Sequence, residues 1–354
     1  MTSKQAPALG DVLPKNYMRS FALAFPLDWN VKRPYRMPLD GIGPYYIEWQ
    51  PGGGTYGEDW TDAPRDPDGV ILTRGAAQYH PVRIAQFGLH SHARFLETRD
   101  RSALRDFMAQ AHWLAAHQRS CKGVAGCYVY EFPNPRYGVG AGWLSAMAQG
   151  EAISLLLRAA AIERAEAFVE AAMRAAQPFR ANVQHGGVVY RSKRGDVFLE
   201  EIAAVPASHI LNGHIFALWG LIELQSLQPQ AWLGELIGAA TATLRSRLTL
   251  YDAGYWSHYS LLGTPAGFRH VAVLKYHAFH IAQLRVTAAL AGDPFFADAA
   301  DRWQAYADSP ACRSRVLANT VAGLVPRFIT GSDRVGRGAV DLLDRLVSRT
   351  EGSR

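Results

Sequence analysis

The sequence predicts a mainly α-helical ring of paired helices, an (α/α) toroid, with a small β-containing segment ahead of it. Three observations carry this. Four pairs of helical stretches recur roughly 60 residues apart; the first helix of each pair mixes polar and apolar residues while the second has an ordinary charged outer face; and residues 1–75 are too rich in turn-formers to hold long helices.

The chain opens with FPLDW, RPYRMPLDGIGPYYIEWQPGGG and DAPRDPDG, in which Pro and Gly interrupt any helical period. Within it YYIEW, Tyr45 to Trp49, is expected as one short strand. Residues 1–78 are therefore expected to wrap the main body, 79–330 to form the toroid and 331–354 a C-terminal tail. From Pro81 apolar residues return every three or four positions. The expected hairpins pair about 81–98 with 101–118, 142–161 with 163–176, 207–226 with 230–248, and 270–291 with 295–309. The first helices contain RIAQFGLHSH, SAMAQGEAIS, ILNGHIFALWGL and HIAQLRVTAAL, where Gln, Asn, His and Gly interrupt apolar runs as they do in helices lining a polar cavity. The connection GGVVYRSKRGDVFLEEI reads as a β-hairpin turning at RSKRGD. The long connections gather at one end of a toroid, where they shape a cleft.

Composition narrows the function. The 354 residues carry 37 Lys+Arg against 31 Asp+Glu, a net +6, and 49% are hydrophobic, so the chain can bury a core. The basic residues are scattered rather than gathered into a stripe, which speaks against nucleic acid. With 9 Trp and 15 Tyr, the same balance suits an acidic sugar polymer. No apolar run approaches the ~20 residues of a membrane span, and the start lacks an apolar signal core, so a cytoplasmic protein is expected. Three cysteines exclude a disulfide scaffold; Cys121 and Cys127 frame CKGVAGC, either as a bridge or as two reduced thiols beside a turn. His277 and His280 share a helix face, but no third ligand has metal spacing, and nucleotide-cofactor, serine-hydrolase and zinc-protease motifs are missing. Neither a metal nor an organic cofactor is expected.

HPVRIAQFGL (80–89), GWLSAMAQGEAIS (142–154), PASHILNGHIFALWGL (206–221), LYDAGYW (250–256) and KYHAFHIAQL (275–284) occur in this order. Together they resemble the C-terminal domain of the D-glucuronyl C5-epimerase family, over about residues 79–309, in a short bacterial-type form. The resemblance implies the toroid reached above from periodicity. It also implies a polysaccharide uronate C5-epimerase turning D-glucuronate into L-iduronate in heparosan or heparan sulfate chains, and a homodimer. It places a tyrosine at Tyr259, a second at Tyr276, and a Glu-Glu-Tyr pattern at Glu200, Glu201 and Ile202, where the tyrosine is replaced. A family arginine is replaced by Leu262, with Arg269 or Lys275 as substitutes.

C5 epimerisation removes a weakly acidic proton beside a carboxylate and returns one to the opposite face. The carboxylate must be neutralised, for which Arg83, Arg269 and Lys275 are candidates, and two proton carriers must face each other across the ring. Tyr276, Glu201 and Tyr259 are the expected catalytic residues. Each has a structural alternative: a packed tyrosine at a helix start, a solvated glutamate, an aromatic cleft wall. Glu200, Gln86, Gln149, Asn212 and His277 are candidates for substrate hydroxyls, or else satisfy one another and loop backbones. Tyr79, His80 and Trp143 would line or stack on sugar rings, or pack the core. The rival functions are a polysaccharide lyase, a glycoside hydrolase and a non-catalytic acidic-glycan-binding toroid.

Overall fold

The computed structural model describes residues 35–38, 42–49, 60, 62–262 and 271–318. Four helical hairpins follow one another: α1 (Pro81–Thr98) with α2 (Arg101–Ala116), α3 (Ala146–Glu163) with α4 (Glu166–Ala175), α5 (Leu211–Leu227) with α6 (Ala231–Arg247), and α7 (Leu274–Ala291) with α8 (Pro294–Asp308). A further helical stretch covers 310–318. Two short antiparallel pairs, β1 (Arg119–Cys121) with β2 (Val124–Cys127) and β3 (Val189–Arg191) with β4 (Val197–Leu199), lie between hairpins.

Local chemistry sets the helix ends. His80, Asp100, Ser145 and Asp293 accept from backbone N–H groups of the first turns of α1, α2, α3 and α8, and Pro81 and Pro294 supply a pre-set φ where no N–H is needed. Gly292 ends α7 at φ +62°, and Arg99 and Arg164 take the same left-handed conformation after α1 and α3.

The first helix of each hairpin packs on the first helix of the next, in the order α1, α3, α5, α7, while each second helix leans on its own partner. This is the inner and outer division of an (α/α) toroid. In α3 every residue from Ala146 to Ala159 is buried, whereas α4 buries only Phe168, Ala171, Ala172 and Ala175. At the α3–α5 crossing the backbones touch: a Cβ on Gly150 would stand 2.5 Å from the Ala217 Cα, and one on Gly220 2.1 Å from the Gly150 carbonyl oxygen. Glycine is required there by proximity.

Hairpins return each chain to the end it left, so the inner helices run parallel and their N-termini gather at one end. The early residues pack elsewhere. Tyr45 stacks on Trp49 and meets Phe216 and Trp219, and Trp60 meets Phe87 and His90, all at the middle or C-terminal half of inner helices. YYIEW, expected as a strand, forms only the isolated bridge Tyr35↔Ile47. The RSKRGD hairpin is present as β3–β4; the β1–β2 pair around CKGVAGC was not foreseen. Its cysteines are free thiols, with Cys127 Sγ donating to the Val124 carbonyl. No described helix is long and apolar enough to cross a membrane.

Candidate active site

The parallel N-termini of α3, α5 and α7 collect the connections that carry chemistry. The segment Glu200–Ala203 leaves β4 and is tied to the start of α3 by Ala146 N–H to the Glu200 carbonyl (2.9 Å) and Ala203 N–H to the Leu144 carbonyl (3.0 Å). The His214 Nδ1 on α5 accepts from Leu199 N–H (3.0 Å), so β4 is clamped to α5 as well. Held on both sides, Glu201 lies against the first turn of α5. A Cβ on Gly213 would come within 2.4 Å of the Glu201 Cβ and Oε2, so LNG in this turn is what admits the carboxyl. The loop after α6 is stitched to the same turn by Leu211 N–H to the Tyr259 carbonyl (3.1 Å), and Tyr276 sits in the first turn of α7.

Glu201, Tyr259 and Tyr276 therefore converge from three elements. The Tyr259 hydroxyl donates to Glu201 Oε1 at 3.4 Å, and the two tyrosine rings lie 4.7 Å apart at 57°. Glu201 is buried, and both tyrosines are half-buried. Burial pushes the Glu201 carboxyl up to about 7, with Tyr259, Arg136 and Asn212 pulling it down and Glu200 pushing it up. Tyr276 is raised above the ordinary tyrosine value, first by burial and then by Glu201 and Tyr137. Its phenol is a proton donor at neutral pH.

Polar demand here is unmet. Glu201 Oε2 and both amide atoms of the Asn212 side chain are buried without a hydrogen-bond partner. Buried polar groups cost free energy unless a polar partner meets them, so these atoms are suited to a polar ligand.

The other predicted positions are used differently. Gln149 accepts from Tyr128 N–H (2.8 Å) and donates to the Gly126 and Ala175 carbonyls (2.9 and 2.7 Å), holding the β2 connection and the end of α4. Gln86 donates to the buried Glu151 carboxyl at 2.9 Å. His277 Nδ1 accepts from Ser257 N–H (3.2 Å) while Nε2 faces the Trp303 carbonyl (3.0 Å), and its ring stacks on Trp256 at 3.8 Å. Burial depresses it to about 3. Glu200 accepts from Ser208 N–H, His209 N–H and, at 2.5 Å, the His209 ring, bracing the turn before α5. Tyr79 stacks on Trp113 of α2 and bonds Asp66, on the outer side. His80 caps α1, with Arg83 buried beside it; burial and that cation hold His80 at about 3. Trp143 stacks on Tyr130 at 3.7 Å and donates to the Phe132 carbonyl. Lys275 is half-buried at the start of α7, and Arg269 lies outside the described residues. The structure thus gathers Tyr276, Glu201, Tyr259 and Asn212, and gives Gln86, Gln149, Glu200, His277, Tyr79 and Trp143 partners of their own.

Two groups at the site were missed by sequence reasoning. Arg136, on a 3-10 turn in NPRYGVG, is the cation whose charge Glu201 and Tyr276 both register; Tyr137 beside it is raised to about 12 by burial. An arginine in a Pro- and Gly-rich connection gives no signal of a site by itself. Glu151 is fully buried on α3 and held well above the ordinary carboxyl value by burial, with the Glu201 charge adding to it. Its place in an apolar helix was the available signal. Among the described residues no group of three His, Cys, Asp or Glu side chains could hold a metal.

Comparison with known proteins identifies a family for the chain. A family model described as D-glucuronyl C5-epimerase C-terminus matches residues 123–305. A D-glucuronyl C5-epimerase of Caenorhabditis elegans is 32% identical over 215 residues, covering 57% of this chain and 35% of that protein. An uncharacterised protein of Methanocaldococcus jannaschii is 28% identical over 138 residues, covering 38% of this chain and 44% of that protein. The chain thus spans well under two thirds of the length of these relatives. Among solved structures, an unsaturated glucuronyl hydrolase of Bacillus sp. GL1 aligns with a TM-score of 0.45 at 15% identity over 64% of this chain and 62% of that one. A D-mannose isomerase aligns at 0.40 and 11% identity, over 85% and 87%. The chain belongs to the D-glucuronyl C5-epimerase C-terminal family.

Proposed function

We propose that this member of the glucuronyl C5-epimerase family is a uronate C5-epimerase, and that it interconverts D-glucuronate and L-iduronate units in a heparosan-like chain. The observation that carries the reading is a buried carboxyl, Glu201, brought to about 7, which accepts from the Tyr259 hydroxyl (3.4 Å), the Tyr259 ring lying 4.7 Å from that of Tyr276.

The chemistry follows from those values. A group with a pKa near the working pH accepts and releases a proton with comparable ease, which suits a base that must reset each turnover. Glu201 in its carboxylate form takes the C5 hydrogen; the C5–H electron pair moves into the substrate carboxylate as an enolate. Tyr276, protonated because burial disfavours its phenolate, returns a proton to C5 from the other face. The protonated Glu201 and the new phenolate are then restored by proton exchange, for which the Tyr259 hydroxyl, 3.4 Å from Glu201 Oε1, is placed. Asn212, buried beside Glu201, is placed to bond a sugar hydroxyl or the enolate. In the reverse direction the two carriers exchange roles.

A lyase would share the proton abstraction and then expel the C4 substituent. Heparosan incubated with the protein in heavy water separates the two. The epimerase reading expects deuterium at C5 and iduronate signals in the proton spectrum, with chain length unchanged. An ultraviolet-absorbing unsaturated product would replace it with the lyase, and no exchange at all would leave a binding protein.

A further inference from the structure

Arg136 is delivered by a stiff knuckle. Asn134 and Val139 are bridged in both directions (2.8 and 3.2 Å), the 3-10 turn Pro135–Tyr137 lies between them, and Gly138 reverses the chain at φ +66°. The knuckle stands on the Tyr130↔Trp143 bridge, whose rings stack at 3.7 Å. Proline at the first position and a closed bridge leave this loop little conformational freedom to lose on binding.

The side chain is exposed, yet its charge belongs to the buried cluster. Burial works against the cation, and Tyr137, Tyr259, Tyr276 and Glu201 more than offset it. Its guanidinium lies 5.7 Å from the Tyr137 ring centre, and no described carboxylate forms an ion pair with it. A guanidinium that flanks an acid without being neutralised by it retains its bidentate donors for an incoming anion.

We propose that Arg136 binds the substrate carboxylate and so selects uronates over neutral sugars at this site. The assignment rests on the epimerase reading above and deepens it. A uronate carboxylate laid against Glu201 would meet a like charge, so the substrate must turn its acid away from Glu201; the knuckle that carries Arg136 stands on Trp143, next to Leu144, whose carbonyl accepts from Ala203 N–H (3.0 Å), which ties this cation's loop to the Glu201 segment. Once paired there, the carboxylate can take up the electron pair released at C5. Of the cations named from sequence, Arg83 is buried beside His80 in the first turn of α1, and neither it nor Lys275 is among the main charges that shift Glu201 or Tyr276.

The test measures binding of heparosan and of carboxyl-reduced heparosan to the full chain, for wild type, Arg136→Gln, Arg136→Lys and the outer-face control Arg101→Gln. The expected result is a preference of at least about tenfold for heparosan in wild type and in Arg101→Gln. That preference is lost in Arg136→Gln and partly restored in Arg136→Lys, with unchanged melting temperatures. Arg136→Gln that keeps the full preference overturns the assignment while leaving the epimerase reading in place. Wild type that prefers neither polymer overturns the uronate reading and the assignment with it. Should Arg136→Gln not fold, Arg136→Lys decides alone: a point charge that matches the wild-type preference in full contradicts bidentate recognition.

Discussion

Buried polar side chains on the inner helices and on the segment packed against them behave in opposite ways. In the first turns of α3 and α7, Gln149 spends its bonds on three backbone groups, and His277 is held between Ser257 and Trp303. Arg158 joins Glu223 at 2.7 and 3.0 Å while bonding the Ser154 and Gly43 carbonyls. At the start of α5, Glu201 and Asn212 are equally buried, yet Glu201 Oε2 and both Asn212 amide atoms make no hydrogen bond within the described chain. A polar residue in an apolar helix thus marks either a brace or a site. At Gln149 and Arg158 the surrounding chain meets the hydrogen-bonding demand; beside Tyr259 and Tyr276 it does not, and there the unmet atoms coincide with a raised carboxyl.

That contrast makes the two regions separable by mutation. The largest effect is expected at the unmet end: Tyr276→Phe removes the returning proton and should lower C5 exchange by about 10²–10⁴-fold, with melting temperature unchanged, since the ring and its packing remain. Comparable exchange in Tyr276→Phe would move the second proton carrier elsewhere. At Gln149 the pattern inverts. Gln149→Leu strands the Tyr128 N–H and two carbonyls and should cost about 3 kcal/mol or more in denaturant unfolding, with activity per folded molecule retained.

The third expectation concerns pH and stability. The folded-state pKa of Glu201 stands at about 7, above its unfolded value near ~4.5, so between those pH values the unfolded chain ionises while the native one does not. Its contribution is full below the lower value and is lost as pH rises through the upper, by about 3 kcal/mol. Glu201→Gln should therefore raise the melting temperature at pH 8 and leave it nearly unchanged at pH 4. A mutation that destabilises at both would make Glu201 a brace like Gln149. The smallest effect belongs to the outer face: Arg174→Gln, at the end of α4 with an exposed 3.9 Å pair to Glu170, should change stability by no more than about 1 kcal/mol.

Much of the fold was legible because it is written in period. The eight helices fall within a few residues of their expected bounds, and the turn in RSKRGD placed β3–β4 correctly. The β1–β2 pair was not legible: strands of three and four residues around two glycines leave no alternation to read. Tyr45–Trp49 had the composition of a strand, and its rings were taken instead by the packing of inner helices. At the site, Glu201, Tyr259, Tyr276 and Asn212 were identifiable because residue type and motif coincide. Gln149 and His277 were equally good candidates by type, and only the loop backbones that occupy them reveal otherwise. Arg136 could not be found that way, since its role depends on a knuckle folding back onto elements some 65 to 140 residues later in the chain.

The most direct measurement follows hydrogen loss from heparosan deuterated at C5, in ordinary water, with wild type and with Glu201→Gln at equal folded concentration. The account predicts steady wash-out by wild type, its rate rising with pH through about 7, and none by Glu201→Gln even though that variant melts no lower at pH 8. Wash-out by Glu201→Gln at the wild-type rate would contradict it.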